Sequence, residues 1–437
     1  MKRPRTSELL RAIPAPEADL VRRVLEAAEA SGCGVHLVGG PVRDWLLERP
    51  LRDVDLLVEP GEPSAADLAR AAAPPDAEIE VHERFGTVVL RGGGGVVDLA
   101  GSRRETYEHP GALPVVEPAP LEEDLWRRDF SVNAVALPLS KAARARHAGI
   151  VDPTGGLEDL SKRSLRVLHP QSFRDDPTRA LRAARLAPRL GFSVSRASRT
   201  SLRGALREGA FGRVSGERMR RELQKLFQDA ELGLDPARAL RLLSDWHVLG
   251  ALEPGLVFDK KASAALRRVG RAVAEPPWRA ARWRAWATGF AVWLAPLPPP
   301  LRRRALRRVA VRGGVAERIV QMPRVRDRAL RALARGRGRG PVHAALRDLP
   351  EEELHALHAW AEPALRRRIA RYAAEDRHRR LPINGQDLAA LGLAGPTLGR
   401  ALERVRLAFL DGAVKTREEA LALAAEVARG RPSRRRR

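Results

Sequence analysis

The sequence predicts an α+β chain in which a mixed-sheet head is followed by an all-α neck, body and tail. Three observations predict it. The strand-like runs fall before about residue 170. Beyond them, apolar residues recur at helical spacing to the end of the chain. At 437 residues, the chain also exceeds one ordinary hydrophobic core, so several domains are expected. The expected boundaries are a head over residues 1–160, a neck over 161–235, a body over 236–375, a tail over 376–430, and a disordered basic end at 431–437.

Leu20, Val21, Val24, Leu25 and Ala28 form a helical stripe that opens the head. An apolar strand from Val35 to Val38 meets Gly39-Gly40, a short helical pattern covers 42–47, and an alternating run carries Asp53 and Asp55. A turn and helix follow over 60–73. Strands at 77–81 and 86–91 lead into a four-glycine run at 92–95, read as a hairpin turn and not as a phosphate loop. Residues 101–120 hold four prolines, two glycines and charges of both signs, which predicts a mobile loop over the site. LEEDLW starts a helix with its acids in the first turn, where the dipole favours them. A Gly-Gly turn and helix at 152–160 and a short strand at 165–168 close the head.

In the helical part, Met219, Leu223 and Leu226 or Phe227 sit at core spacing. Trp283, Trp286, Phe290 and Trp293 recur at i, i+3, i+7 and i+10, a stripe read as helix core in preference to base stacking. Prolines at 296–300 predict a stiff break, and the arginine-crowded stretch 301–340, ending RGRGRG, reads as an RNA-facing surface or a linker.

With 79 Lys and Arg against 54 Asp and Glu, the formal charge is +25. The excess is mostly arginine, whose fork pairs with phosphate, so a polyanion is the expected partner: RNA before an anionic membrane. A single cysteine, Cys33, excludes an intrachain disulfide and any Cys-cluster zinc site. No apolar stretch is long enough for a signal peptide or a membrane span, so a cytoplasmic protein is expected, with no membrane association and no stable protein partner implied.

The chemistry concentrates in residues 35–59. On a strand, residues i and i+2 share a face, so the carboxylates of Asp53 and Asp55 converge, and such a pair is best tolerated where a divalent cation neutralises it. Mg²⁺ is the expected ion. Gly39 and Gly40 before a helix let a phosphate approach backbone N–H groups, and Arg43 adds a fork. Metal carboxylates beside a triphosphate grip point to nucleotidyl transfer. Asp98, on the return strand of the hairpin, is either a third acid or a strand-end carboxylate facing water or an arginine.

Downstream stand RRDFSVNA at 127–134, DPTGGLEDL at 152–160, FRDDPTRALRAAR at 173–185 and ERMRRELQKLF at 217–227. In this order behind GGPVRD and DVD, they make the chain resemble the class II tRNA nucleotidyltransferase and bacterial poly(A) polymerase family over residues 30–230. The resemblance implies addition of C and A to the 3′ end of tRNA from CTP and ATP. It implies that Arg128 contacts the incoming nucleotide, with Asp129 and Asn133 bracing the fold. Asp176 and Arg179 are expected three apart on one helix face. There a carboxylate accepts from the exocyclic amino group of cytosine or adenine while a guanidinium donates to the ring acceptor, a pattern that guanine and uracil reverse. Arg182 and Arg185 continue the spacing and are expected to reach phosphates, brace that template or touch RNA. None of the ten histidines precedes an aspartate, so the His-Asp phosphohydrolase appendage of some relatives is not expected. The stretch 381–414 resembles the tail of bacterial members that act on tRNA. Complete CCA addition, CC-only or A-only addition, and poly(A) synthesis all remain open, as does a catalytically silent RNA-binding protein.

Overall fold

A computed structural model describes residues 6–109, 111–272, 275, 277–278 and 284–429. Trp283 of the aromatic stripe, Pro110 and the basic end at 431–437 lie outside them. The chain divides into two compact units between Ser215 and Gly216, inside the stretch expected to form the neck.

The first unit is a mixed sheet with helices on both faces. Helices α1 (Thr6–Ala12) and α2 (Ala15–Ser31) lead into β1 (Val35–Val38), α3 (Gly40–Leu46), β2 (Asp55–Val58), α4 (Ala65–Ala72), β3 (Glu78–His82), β4 (Thr87–Gly92) and β5 (Gly95–Gly101). After β6 (Arg103–Thr106), β7 (Val115–Pro118) and α5 (Leu121–Trp126), strand β8 (Ala136–Pro138) joins the edge. The six-stranded order is β3-β4-β5-β2-β1-β8. Only β2 and β5 run parallel among these neighbours. Because β1 and β2 lie centrally, their VHLV and DLLV sequences show little polar alternation. Leu37, Leu56 and Val58 pack with Leu20 and Val24 of α2 and Leu68 of α4. Val38 and Leu57 pack on the other face with Leu121 and Leu125 of α5. The four-glycine run is a hairpin turn: Gly92 pairs with Gly95, and Gly93 and Gly94 take φ of 56° and 82°, a conformation that admits few other residues.

Two local expectations are corrected. Within 101–120, where a loop is predicted, β6 and β7 form an antiparallel hairpin that pairs Arg104 with Glu117 in register and by a 2.8 Å ion pair. Asp176 and Arg179 do not share a helix. Helix α8 (Ser172–Asp175) stops at Asp176, whose φ of −133° and ψ of 91° are extended, and α9 (Thr178–Leu190) begins after Pro177. Proline disfavours the helical region for its predecessor, which places the break at Asp176. Between α5 and α8 lie α6 (Lys141–Arg146), α7 (Gly156–Ser161) and β9 (Ser164–Leu165). The last is shorter than predicted and pairs parallel to β10 (Ser193–Val194), before α10 (Arg196–Arg207) ends the unit.

The second unit is helical. From α11 (Gly216–Gln228) it runs through α12 (Pro236–Asp245), α13 (Val248–Leu252) and α14 (Lys260–Ala272) to α15 (Ala285–Leu294). Phe227 of α11 meets Phe290 and Trp293 of α15 at ring separations of 5.2 and 6.3 Å, so these aromatics are core. The proline run ends α15 and starts α16 (Pro299–Arg308), filling the first-turn positions where the missing N–H is harmless. After α17 (Gly313–Arg335), the RGRGRG segment is pinned: Arg368 donates to the Gly336 carbonyl, and the Gly340 N–H donates to Asp411 at 2.8 Å. It is therefore a packed joint, not a free linker. Helices α18 (Arg339–Leu346), α19 (Glu351–Trp360) and α20 (Pro363–Ala374) follow. The final α21 (Gly385–Ala390), α22 (Gly395–Leu410) and α23 (Arg417–Ala428) enclose a small core of their own around Leu388, Ala401, Val405 and Ala420. No described helix is long and apolar enough to cross a membrane.

Two imidazoles on α19 make this unit acid-sensitive. Burial, then His358, pushes His355 down to about 3; burial, then Arg366 and Arg268, pushes His358 down to about 4. Both stay neutral in the folded state, whereas the unfolded chain binds protons near pH 6.5. Their contribution is complete above that value and is lost as pH falls through the folded pKa values, at about 2 kcal/mol per imidazole between pH 6.5 and 5. Trp278 packs against His355 at 4.4 Å and against His358 at 5.3 Å, so tryptophan fluorescence reports the region. The urea midpoint followed this way is expected to drop from pH 7 to pH 5 and to drop less in His358→Gln. Equal drops in the two proteins would contradict the assignment.

Candidate active site

The C-terminal end of β1 and the N-terminal end of β2 meet at one place in the sheet, and the predicted residues collect there. Gly39 takes a φ of 73° and a ψ of −129°, and its N–H donates to Val135 at 3.1 Å. A Cβ on it would lie 3.0 Å from Nη1 of Arg128, and one on Gly40 3.6 Å from Nη2 of Arg43. The glycines thus leave room for two guanidiniums at the start of α3. Arg43 is buried and held: its Nε donates to Asp44 at 2.8 Å and its Nη1 to Asn133 at 2.5 Å.

Asp55 begins β2 with its Cα in register with Asp98 on β5, so the two carboxylates stand side by side on one face. Asp53, expected on the same strand as Asp55, instead precedes it on an exposed segment, so strand alternation does not bring the two carboxylates to one face. Burial, then Asp98, pushes the Asp55 carboxyl up to about 6, with Arg128 opposing and Asp53 adding to the rise. Asp98 is also raised, by burial and then by Asp53. Two acids, Asp55 and Asp98, each pushed up by burial and a neighbouring carboxylate and standing near two arginines, are an arrangement that a divalent cation would relieve.

Arg127 and Arg128 follow α5 and share Asp124, which is fully buried. Arg127 reaches Oδ2 at 2.6 Å and Arg128 reaches Oδ1 at 2.9 Å. Burial alone would push Asp124 up, but the Arg128 and Arg127 guanidiniums hold it below the usual carboxylate range. The sequence does not single out Asp124: its i,i+3 and i,i+4 spacing to the two arginines is there, but the acids of LEEDLW fit a helix-dipole role equally well. Glu105 of β6 also borders the site. It ties Arg127 at 2.8 Å and accepts from the Tyr107 hydroxyl at 3.0 Å.

The base-reading candidates form a second group. Oδ1 of Asp176 accepts from the Thr178 N–H at 3.0 Å and from its hydroxyl at 2.6 Å. Arg179 is buried, donating to Ser172 Oγ at 3.0 Å and to the Arg127 carbonyl at 2.8 Å. Arg182 meets Asp129 at 2.8 Å, while Arg185 lies half-buried one turn further along α9. Asp129 also accepts from Asn133 at 3.0 Å. The two groups are therefore joined by a continuous chain, Arg43–Asn133–Asp129–Arg182.

Comparison with known proteins identifies this arrangement. Residues 35–166 match the family model described as the poly A polymerase head domain. The chain is 30% identical over 430 residues to the A-adding tRNA nucleotidyltransferase of Geobacter sulfurreducens, covering 96% of this chain and 48% of that one. It is 30% identical over 421 residues to the CCA-adding enzyme of Geobacillus stearothermophilus, covering 91% of this chain and 93% of that protein. The chain belongs to the class II CCA-adding tRNA nucleotidyltransferase family. A solved CCA-adding enzyme, in an apo form, shares the fold of this family member with a TM-score of 0.76 at 26% identity, over 98% of this chain and 100% of that one. A nucleotidyltransferase of this family implies a divalent metal, and the raised acids Asp55 and Asp98, each pushed up by burial and by a neighbouring carboxylate, fit one.

Proposed function

We propose that this chain adds C and A nucleotides to the 3′ end of tRNA from CTP and ATP without a nucleic-acid template, releasing pyrophosphate, and that it completes the CCA end. The observation that carries the reading is the gathering of Asp53, Asp55 and Asp98 at the strand end where Gly39, Gly40, Arg43 and Arg128 also stand. Mg²⁺ held by Asp53 and Asp55, with Asp98 adjacent, would supply Lewis acidity that lowers the pKa of the attacking 3′-hydroxyl and offsets charge on the triphosphate.

Arg43 and the N–H at Gly40 receive phosphate oxygens, with Gly39 leaving them room, and Arg128, steadied by Asp124, orients the nucleotide. Asp176 and Arg179 select the base by accepting from its amino group and donating to its ring acceptor. The contacts that fix Arg179 suit a reader that must reject guanine and uracil by hydrogen-bond pattern. Exposed arginines on α16 and α17, among them Arg303, Arg307, Arg318 and Arg328, suit contact with RNA phosphates, and a cytoplasmic enzyme fits such a substrate.

A-only addition is the second reading, favoured by the name of the Geobacter relative. The deciding experiment extends tRNA transcripts that end before CCA, after C and after CC, each with CTP, ATP or both. Ordered addition on all three is the expected result. Addition of A to the CC end alone would establish the second reading; arrest at CC would indicate CC addition, and a long A tail poly(A) synthesis. No incorporation at all would overturn the enzyme reading in favour of a silent RNA binder.

A further inference from the structure

Strand β2 begins with one acid, Asp55, and is followed by another, Glu59. Asp55, Leu57 and Glu59 alternate toward the same side, so Glu59 lies about 13 Å along the strand from the acids of the active site. Around Glu59 is the one group of His, Cys, Asp and Glu side chains among the described residues whose ligand atoms converge: His36, Glu59 and His147, all within 4.8 Å of one another. We propose that His36, Glu59 and His147 form a second divalent-cation site, of the Zn²⁺ class, that ties α6 to strands β1 and β2.

The three ligands come from elements that the fold fixes independently. His36 is wholly buried on β1, in register with Leu57 of β2 and Pro138 of β8. Glu59 follows β2, and its N–H donates to the Gly34 carbonyl at 2.9 Å; a Cβ on residue 34 would collide with the Glu59 carboxylate. His147 terminates α6, whose N-terminus is capped by Ser140, which also accepts from the Val35 N–H at 3.0 Å.

The chemistry suits an imidazole-binding ion. Nε2 of His36 lies 2.7 Å from Oε1 of Glu59, and the two rings stand edge to face at 5.6 Å. Tetrahedral Zn²⁺, with ligands at about 2.0–2.1 Å, needs donor atoms about 3.3 Å apart, a spacing that lies inside the observed range. Burial, then His147 and Arg146, pushes His36 down to about 4, so a proton does not compete for the ring near pH 7. Nδ1 of that ring is buried without a hydrogen-bond partner. In the ion-free protein the Glu59 charge is met by the half-exposed Arg146, which an entering cation must displace. A purely structural His–Glu–Arg contact would need no second imidazole.

The test uses the full-length protein with Mg²⁺ in excess, so that the oxygen-rich active site is occupied, and Co²⁺ as an optical probe competed by Zn²⁺. One equivalent of Co²⁺ giving a tetrahedral visible band is expected. The affinity behind the band should fall in His147→Ala and Glu59→Gln by at least the order of 10- to 100-fold that loss of an outer-shell partner costs a metal site. Arg146→Gln should bind more tightly, because it removes the competing cation. Circular dichroism of His147→Ala matching the parent separates loss of the site from loss of the fold. A band absent from the parent, unchanged in His147→Ala, or abolished by Asp53→Asn would overturn the proposal.

Discussion

Asp55→Asn is expected to yield a protein that is more stable than its parent without metal and that incorporates no nucleotide. The two effects share one cause. The folded-state pKa of Asp55 is raised to about 6, so the folded head holds this proton more tightly than the unfolded chain does. Below the unfolded value the carboxyl is neutral in both states and costs nothing. As pH rises through 6 it ionises against burial and Asp98, at about 3 kcal/mol if the whole shift is felt. An isosteric amide removes that charge, so a gain of about 1–3 kcal/mol is expected at pH 7.5 in EDTA, fading toward pH 4. Losing a metal carboxylate should lower incorporation on the order of 10³-fold or more, corresponding to several kcal/mol of transition-state stabilisation. Urea unfolding at the two pH values, followed by Mg²⁺-dependent pyrophosphate release, checks both. A variant with wild-type turnover, or one no more stable at pH 7.5, would remove Asp55 from its assigned place.

Asp124→Ala is expected to act in the opposite direction on stability and in the same direction on activity. Asp124 is fully buried and bonds both Arg127 and Arg128, so truncation leaves two partly buried guanidiniums without their shared carboxylate. Breaking a buried pair from one side costs about 3–5 kcal/mol. Arg128 would also lose the contact that sets it beside Gly39, so the KM for CTP is expected to rise on the order of 10-fold. Asp124→Asn retains the shape and should fall between the two. The folded pKa of Asp124 is depressed, so its contribution is complete above the unfolded value and is lost only as pH falls through the folded one. Melting temperature and KM measured near pH 7.5 therefore report the full effect. An unchanged KM would show that Arg128 is positioned by something else.

The strands were legible because they depend on short-range pattern. Val35–Val38 is apolar and stops at Gly-Gly, and four glycines between strand-like runs require a tight turn. The alternation in DVD was misleading, because β2 begins only at Asp55. The β6–β7 hairpin was not legible, since its faces carry no apolar period and its register rests on pairs such as Arg104 with Glu117. The break at Asp176 is written in the sequence as Asp-Pro, where the proline's effect on its predecessor outweighs the i,i+3 spacing of Asp176 and Arg179. Asp124 needed knowledge that α5 faces the core, and His36 with His147 are joined only by tertiary packing.

The Arg43–Asn133–Asp129–Arg182 chain has a consequence for redesign. On the proposed roles, the glycine-arginine group at α3 and the helix α9 are not separate modules to be exchanged at will. A change of α9 made to alter the letter added must pass through Asp129 and Asn133 to the arginine beside Gly40, so its effect will not add to that of a change at α3. Alphabet and turnover in this protein are mechanically one trait, and a library that varies them together will search the space that varying either alone cannot reach.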